Sequence, residues 1–161
     1  MTNDESTPAA PAAPAAAKSS RRRDCRVAAM QFLYMWDANP SDDLPGVLLS
    51  FFSTQDHPRE YYAFAEEIIQ GLMQNKAAID ELIKTQAHNW AFNRIARVDL
   101  AILRVGVFEL LHRRDIPPVV TINEAIELGK AFSNPDSRRF LNGILDKVKD
   151  SLDRPARTAA E

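Results

Sequence analysis

Between Arg97 and Arg114 the chain reads RVDLAILRVGVFELLHRR, and inside this stretch only Asp99, Arg104, Glu109 and His112 interrupt the apolar residues. A helix that is hydrophobic nearly all round must be covered on every side. It is either the central helix of a helical domain or one whose outer side is closed by another chain. His112, near its C-terminus, suits the negative end of the helix dipole better than a catalytic role.

The rest of the sequence supplies helices to pack on it. No segment alternates apolar and polar for long, glycine is limited to five residues, and apolar side chains recur at helical spacing almost throughout. The expected fold class is all-α, a single domain over residues 21–152. The spacing predicts helices over 22–38, closed by Asn39 and Pro40, then 43–54, 59 to about 86 with a break near Asn75, 97–114, 121–133 and 135–152. Thr121 with Glu124 reads as a capping box, and Asn134 before Pro135 as an N-cap with proline in the first helical position. The turn DIPP, Asp115 to Pro118, ends the helix before it because proline cannot continue the hydrogen-bond ladder. Residues 1–20, rich in Ala and Pro, and 153–161 are expected to be flexible tails, since neither has enough apolar surface to offset ordering.

Composition excludes several classes of function. With 20 basic and 22 acidic residues among 161, the chain is no polycation, so any affinity for nucleic acid must be local. One cysteine, Cys25, rules out an internal disulfide, and three histidines far apart give no zinc-type spacing. No apolar run approaches membrane-spanning length and no leader is visible. The expectation is an intracellular, cytoplasmic protein without metal or cofactor. No nucleophile–base pair, cleft carboxylates or glycine-rich phosphate loop can be assembled, so no enzyme activity is expected. Glu66, Glu67, Glu124 and Glu127 read as solvated.

Two helix faces stand out. On the first helix Cys25, Ala28, Phe32, Met35 and Trp36 share one side, while Arg23, Arg26, Met30 and Tyr34 share the other. Arginines beside an aromatic ring suit RNA, where guanidiniums meet phosphates and a ring stacks on an unpaired base. The alternative is a solvated basic face with Tyr34 half-buried against a neighbour. On the last helix Leu141, Ile144, Leu145, Val148 and Leu152 form the core stripe, and Phe140 falls on the other side with Asp136, Gly143 and Lys147. That ring either packs on a loop or contacts a base or a protein. Gly143 within a helix suggests that something approaches the backbone closely.

The segments RRRDCRVAAMQFLYMWD, INEAIELGKAF and DSRRFLNGILDK, with the helix between Arg97 and Arg114, closely resemble the NusB family of bacterial transcription antitermination factors. The resemblance covers nearly the whole folded unit. It implies two packed helical bundles, no catalysis, and binding of boxA RNA of ribosomal RNA operons. The partners implied are NusE, a small-subunit ribosomal protein, and the elongating RNA polymerase complex with other Nus factors. Carried over by position, the RNA contacts are Arg21, Arg22, Arg23, Arg26, Gln31 and Tyr34, and, on the last helix, Asp136, Ser137, Arg139, Phe140 and Asn142. The NusE surface is placed around Asp99, Arg104, Phe108 and Glu109. Asp24 interrupts the basic run, and Pro135 alters the loop before the last helix. The rival is a protein–protein adaptor of the same fold without RNA binding of its own.

Overall fold

The computed structural model describes residues 15–88 and 90–160. Residues 1–14, most of the expected N-terminal tail, lie outside them. The elements are α1 (Ala15–Ala38), α2 (Leu44–Ser53), a 3-10 turn (Arg59–Tyr62), α3 (Ala63–Gln86), a second 3-10 turn (Phe92–Arg94), α4 (Arg97–His112), α5 (Pro118–Phe132) and α6 (Ser137–Asp150). Helices α1–α3 form one bundle and α4–α6 the other. Helix α4 is shared, packing on α1, α3, α5 and α6.

The apolar sequence of α4 explains this position: every residue from Asp99 to Leu110 is buried. Close packing on α3 depends on Gly71, where a Cβ would stand 2.5 Å from the Phe108 ring. On α6, Leu141, Ile144, Leu145 and Val148 are buried as the stripe predicts. Most of the apolar side of α1 also closes as expected, with Phe32 stacked on Trp36 at 5.9 Å and edge-on to Phe51 at 5.3 Å, but Met35 of the same face stays 37% exposed.

The middle of the opposite side of α1 is not open. Arg26 and Met30 are 3% and 2% exposed, because α4 covers this face as well. The buried Arg26 guanidinium is answered by Glu109 of α4 in a two-pronged pair of 2.8 and 2.7 Å. Thr121 of α5 adds its hydroxyl to the same carboxylate at 3.2 Å. Farther along α4, Arg104 reaches Asp80 of α3 at 2.8 and 3.0 Å and Asp37 of α1. Burial alone would lower the Arg104 pKa, but the hydrogen bonds and charges of Asp80 and Asp37 outweigh it and raise the value. Near the start of α4, Asp99 accepts from Ser133 at 2.6 Å and Ser137 at 2.8 Å.

Several expected boundaries shift for physical reasons. Helix α1 starts earlier, at Ala15, and α3 runs through Asn75, whose amide donates to the Gly71 carbonyl at 2.7 Å. The capping box does not form: Pro117 and Pro118 start α5 sooner, so Thr121 lies inside the helix facing Glu109. Nor does Asn134 cap α6. The two serines bound to Asp99 draw the connection onto α4, and the helix begins at Ser137 after a turn through Pro135 and Asp136. The C-terminal segment is docked where a flexible tail was expected. Arg154 donates to the Leu110, Arg114 and Ile116 carbonyls at 3.0, 3.1 and 2.8 Å, supplying donors to the end of α4. The Val119 amide donates to the Ala156 carbonyl at 3.0 Å.

Glu109→Ala leaves Arg26 buried without its counter-charge and should cost about 3–5 kcal/mol in urea unfolding. The apolar pair Arg26→Met with Glu109→Leu should recover most of that loss. A double variant as unstable as the sum of its singles would contradict this account of the pair.

Candidate nucleic-acid interface

The first turn of the arginine run lies against the start of α3. Arg21 donates to the carbonyls of Tyr61 and Glu60 at 2.8 and 2.7 Å, and its guanidinium lies 4.9 Å over the Tyr61 ring. Arg22 is 3.7 Å from Asp115 and stacks over Phe64 at 5.0 Å. Arg26 and Arg113 approach the same Phe64 ring at 5.3 and 5.0 Å. Arg23 grips Glu124 of α5 through two bonds of 3.0 Å. That hydrogen bond and charge raise the Arg23 pKa.

Within the run, Arg22 and Arg23 are therefore paired with carboxylates, while Arg21 is held by backbone carbonyls. Arg113 bridges Asp115 at 2.9 Å and Glu67 at 2.6 Å. Its hydrogen bonds keep the Asp115 carboxyl below the usual carboxylate range. Glu66 pairs with Arg59 and Glu127 with Lys130 at 3.1 Å, so these glutamates are partnered as well as solvated. Asp24, the acid inside the basic run, accepts from the Tyr61 hydroxyl at 2.6 Å. This bond, with burial and the Asp24 charge adding, pushes the Tyr61 pKa up to about 12. His57 stacks on the same ring at 3.9 Å.

Of the RNA contacts expected on α1, the structure leaves Arg21, Arg22, Arg23, Gln31 and Tyr34 at the surface. The Tyr34 ring is 43% exposed. Arg26 is corrected: held under α4 by Glu109, it cannot reach a phosphate.

The second region surrounds the start of α6. Asp136 and Arg139 are exposed, and Asn142 is half-buried with its amide donating to Asp146 at 3.1 Å. Ser137 is corrected, being buried and bound to Asp99. Phe140 is half-buried and meets Trp90 edge-to-face at 5.5 Å, so it packs on the connector between α3 and α4. A cleft lined by Ile126, Pro135, Asp136, Arg138, Arg139 and Asn142 opens beside it. Helix α5 separates the two regions, with Glu124 facing Arg23 of α1 and Ile126 facing the α6 cleft. The sequence reading missed Trp90 and Arg138 here. A lone tryptophan in the polar segment before α4 was the available signal.

The expected NusE surface is overturned. Asp99, Arg104, Phe108 and Glu109 are 6%, 3%, 4% and 1% exposed, and their polar groups tie α4 to its neighbours. Among the described residues no helix is long and apolar enough to cross a membrane, and no cluster of three or more His, Cys, Asp or Glu could hold a metal.

These features define a class, an all-helical module of two bundles sharing a central helix, with guanidiniums and aromatic rings on its outer surface. The chain belongs to the NusB family of transcription antitermination proteins: the model of that family matches residues 23–150. The transcription antitermination protein NusB of Geotalea uraniireducens is 44% identical over 141 residues, covering 83% of this chain and 97% of that protein. Its counterpart in Methylacidiphilum infernorum is 40% identical over 131 residues, covering 81% and 92%. Among solved structures, T. maritima NusB superposes with a TM-score of 0.72 at 34% identity, covering 86% of this chain and 93% of that one. A NusB in complex with NusE and double-stranded RNA shares the fold, with a TM-score of 0.74 at 20% identity over 83% and 98%.

The Tyr61 phenol should titrate at about 12 in the folded protein, followed by its absorbance change on ionisation. Its folded value is raised, so its contribution to stability is whole below the ordinary 10.0 and lost as pH rises through about 12. Asp24→Asn should return the titration toward 10.0. An unchanged titration in that variant would remove Asp24 as the cause.

Proposed function

We propose that this chain carries out the antitermination role of its family by binding boxA RNA together with NusE and joining the elongating RNA polymerase complex with other Nus factors. The observation that carries this reading is the outer surface across α1, α5 and α6 of a NusB-family fold. Arg22, Arg23, Gln31 and Tyr34 stand on one side of α5, and Asp136, Arg139, Phe140 and Asn142 stand on the other. The guanidiniums position the phosphate backbone and the rings engage unpaired bases. The role is recognition without catalysis, and its place is the cytoplasm, where the transcribing polymerase is found.

One observation favours a second reading, an adaptor that binds protein alone. Arg21, Arg22 and Arg23 already have acceptors in the chain, so RNA must replace Asp115 and Glu124 as their partners. Exposed ion pairs contribute only about 0–1 kcal/mol each, which makes that exchange easy. The RNA reading therefore stands ahead.

Fluorescence anisotropy of labelled boxA RNA and a scrambled control, with and without NusE and at two salt concentrations, tests it. The expected result is preference for boxA, strengthened by NusE. Affinity should fall with salt with a log–log slope of roughly 0.7 per phosphate neutralised. Arg22→Ala with Arg23→Ala should weaken binding about tenfold, as loss of two surface phosphate contacts would, without lowering Tm as Arg26→Ala would. NusE binding with no RNA preference in any condition would establish the adaptor.

A further inference from the structure

Trp90 holds its indole 56% exposed on the connector between the bundles, braced by the edge-to-face contact with Phe140. Beside this aromatic pair lies a depression bounded by His88, Trp90, Arg139, Phe140, Gly143 and Lys147. Arg139, Gly143 and Lys147 recur every fourth residue on α6, so they form one stripe along its surface.

Gly143 is the unusual member. The chain has five glycines, and four of them are explained by contacts within it. A Cβ at Gly71, Gly106 or Gly129 would meet Phe108, Leu145 or Leu141 at 2.5, 3.0 or 2.7 Å, and one at Gly46 would collide with the Asp43 cap of α2. A Cβ at Gly143 would meet nothing among the described residues within 4 Å. Glycine is the poorest helix former after proline, and the close approach expected at this position comes from none of the described residues. The bare backbone faces solvent beside an exposed indole.

The charges around it are also unlike those of α1. Arg94, Arg138 and Arg139 take part in no ion pair among the described residues, whereas Arg22 and Arg23 each have a carboxylate. Lys147 makes only a 3.4 Å contact to the Gln86 carbonyl. Of the nearby acids, Asp146 is engaged by Asn142 and Lys149, and Asp136 lines the clefts of Arg138, Arg139 and Arg94 without forming an ion pair with any of them among the described residues. Cations without a carboxylate partner among the described residues, an exposed ring and a stretch of helix that carries no side chain together suit an anionic, planar ligand.

We propose that Trp90, Phe140 and Gly143, flanked by Arg139 and Lys147, form a subsite for one unpaired nucleotide of the bound RNA. The base stacks on the indole and lies over the α6 backbone at Gly143, and its phosphate meets Arg139 and Lys147. The subsite rests on the RNA-binding reading and extends the α6 contacts of the family to Trp90, Gly143 and Lys147.

The test uses the full chain with NusE and boxA RNA carrying 2-aminopurine at single positions within and beside the element. One position should lose fluorescence on binding the unmodified protein and keep it with Trp90→Ala. Trp90→Ala should weaken RNA binding roughly 5- to 150-fold, the range of one base–aromatic stack, and Trp90→Phe should restore most of it. Gly143→Ala should raise Tm, alanine being the better helix former, and yet weaken RNA binding, a pairing of signs that damage to the fold would not produce. If both variants bind RNA like the unmodified protein while Arg22→Ala with Arg23→Ala fails, the subsite is overturned and the RNA reading stands. If the unmodified protein prefers no RNA, both fall. If Trp90→Ala weakens only NusE binding, the surface belongs to a protein partner and the subsite is overturned.

Discussion

The Arg26–Glu109 pair joins the two bundles at a point from which water is excluded, with side chains only 4% and 1% exposed. Two charges removed from water repay their desolvation only when geometry and additional hydrogen bonds are both good. Here the guanidinium meets both carboxylate oxygens, and Thr121 completes the acceptor from α5. One carboxylate on α4 thus fixes α1 and α5 in register with each other. Arg104 does the same for α1 and α3, and Asp99 for the α5–α6 connection. Apolar packing alone would hold α4 in the middle, but it would not choose the rotation and height of each neighbour as closely as directional bonds do.

That arrangement determines what reaches the surface. Because Arg26 points inward, Arg22 and Arg23 on the adjoining turn lie at the margins of the α1–α4–α5 contact, beside Asp115 and Glu124. Because Ser137 is bound to Asp99, Arg139 and Phe140 project from the first turn of α6 at a fixed height above α5. The surface on either side of α5 is thus shaped by buried polar contacts beneath it as well as by the ion pairs its own residues make.

The all-α class, the central helix and the α6 core stripe were legible in the sequence because each rests on local periodicity. What failed depended on contacts distant in the chain. Arg26 read as a surface residue because an arginine on a helix face usually is one, and its partner lies 83 positions away. Thr121 and Glu124 fit a capping box, but the prolines before them started the helix and the pull of Glu109 and Arg23 took both side chains elsewhere. Asp99, Arg104, Phe108 and Glu109 interrupt an apolar helix in a way that suits a partner surface or an internal network equally well, and only the packing of α1, α3 and α5 decides between them. The partnership of Trp90 with Phe140 joins residues 50 apart by number, and periodicity within either segment does not contain it.

The two halves of the surface pose different physical problems for a polyanion. The α1 arginines are pre-ordered: Arg21 and Arg23 are held by two bonds each, so less rotamer entropy remains to be lost, but a carboxylate must yield its place. Arg138 and Arg139 of α6 have no carboxylate to surrender among the described residues, but they must be ordered when they bind. With a formal net charge of -2 the whole molecule gives no long-range attraction to RNA, so encounter must rely on these local cations. On the proposed RNA-binding reading, first contact is therefore easiest on α6, where Arg138 and Arg139 have no carboxylate paired to them among the described residues. On the same reading, exchange of Glu124 and Asp115 for phosphate on α1 would then follow once the strand is already held nearby, at the high effective concentration that tethering provides.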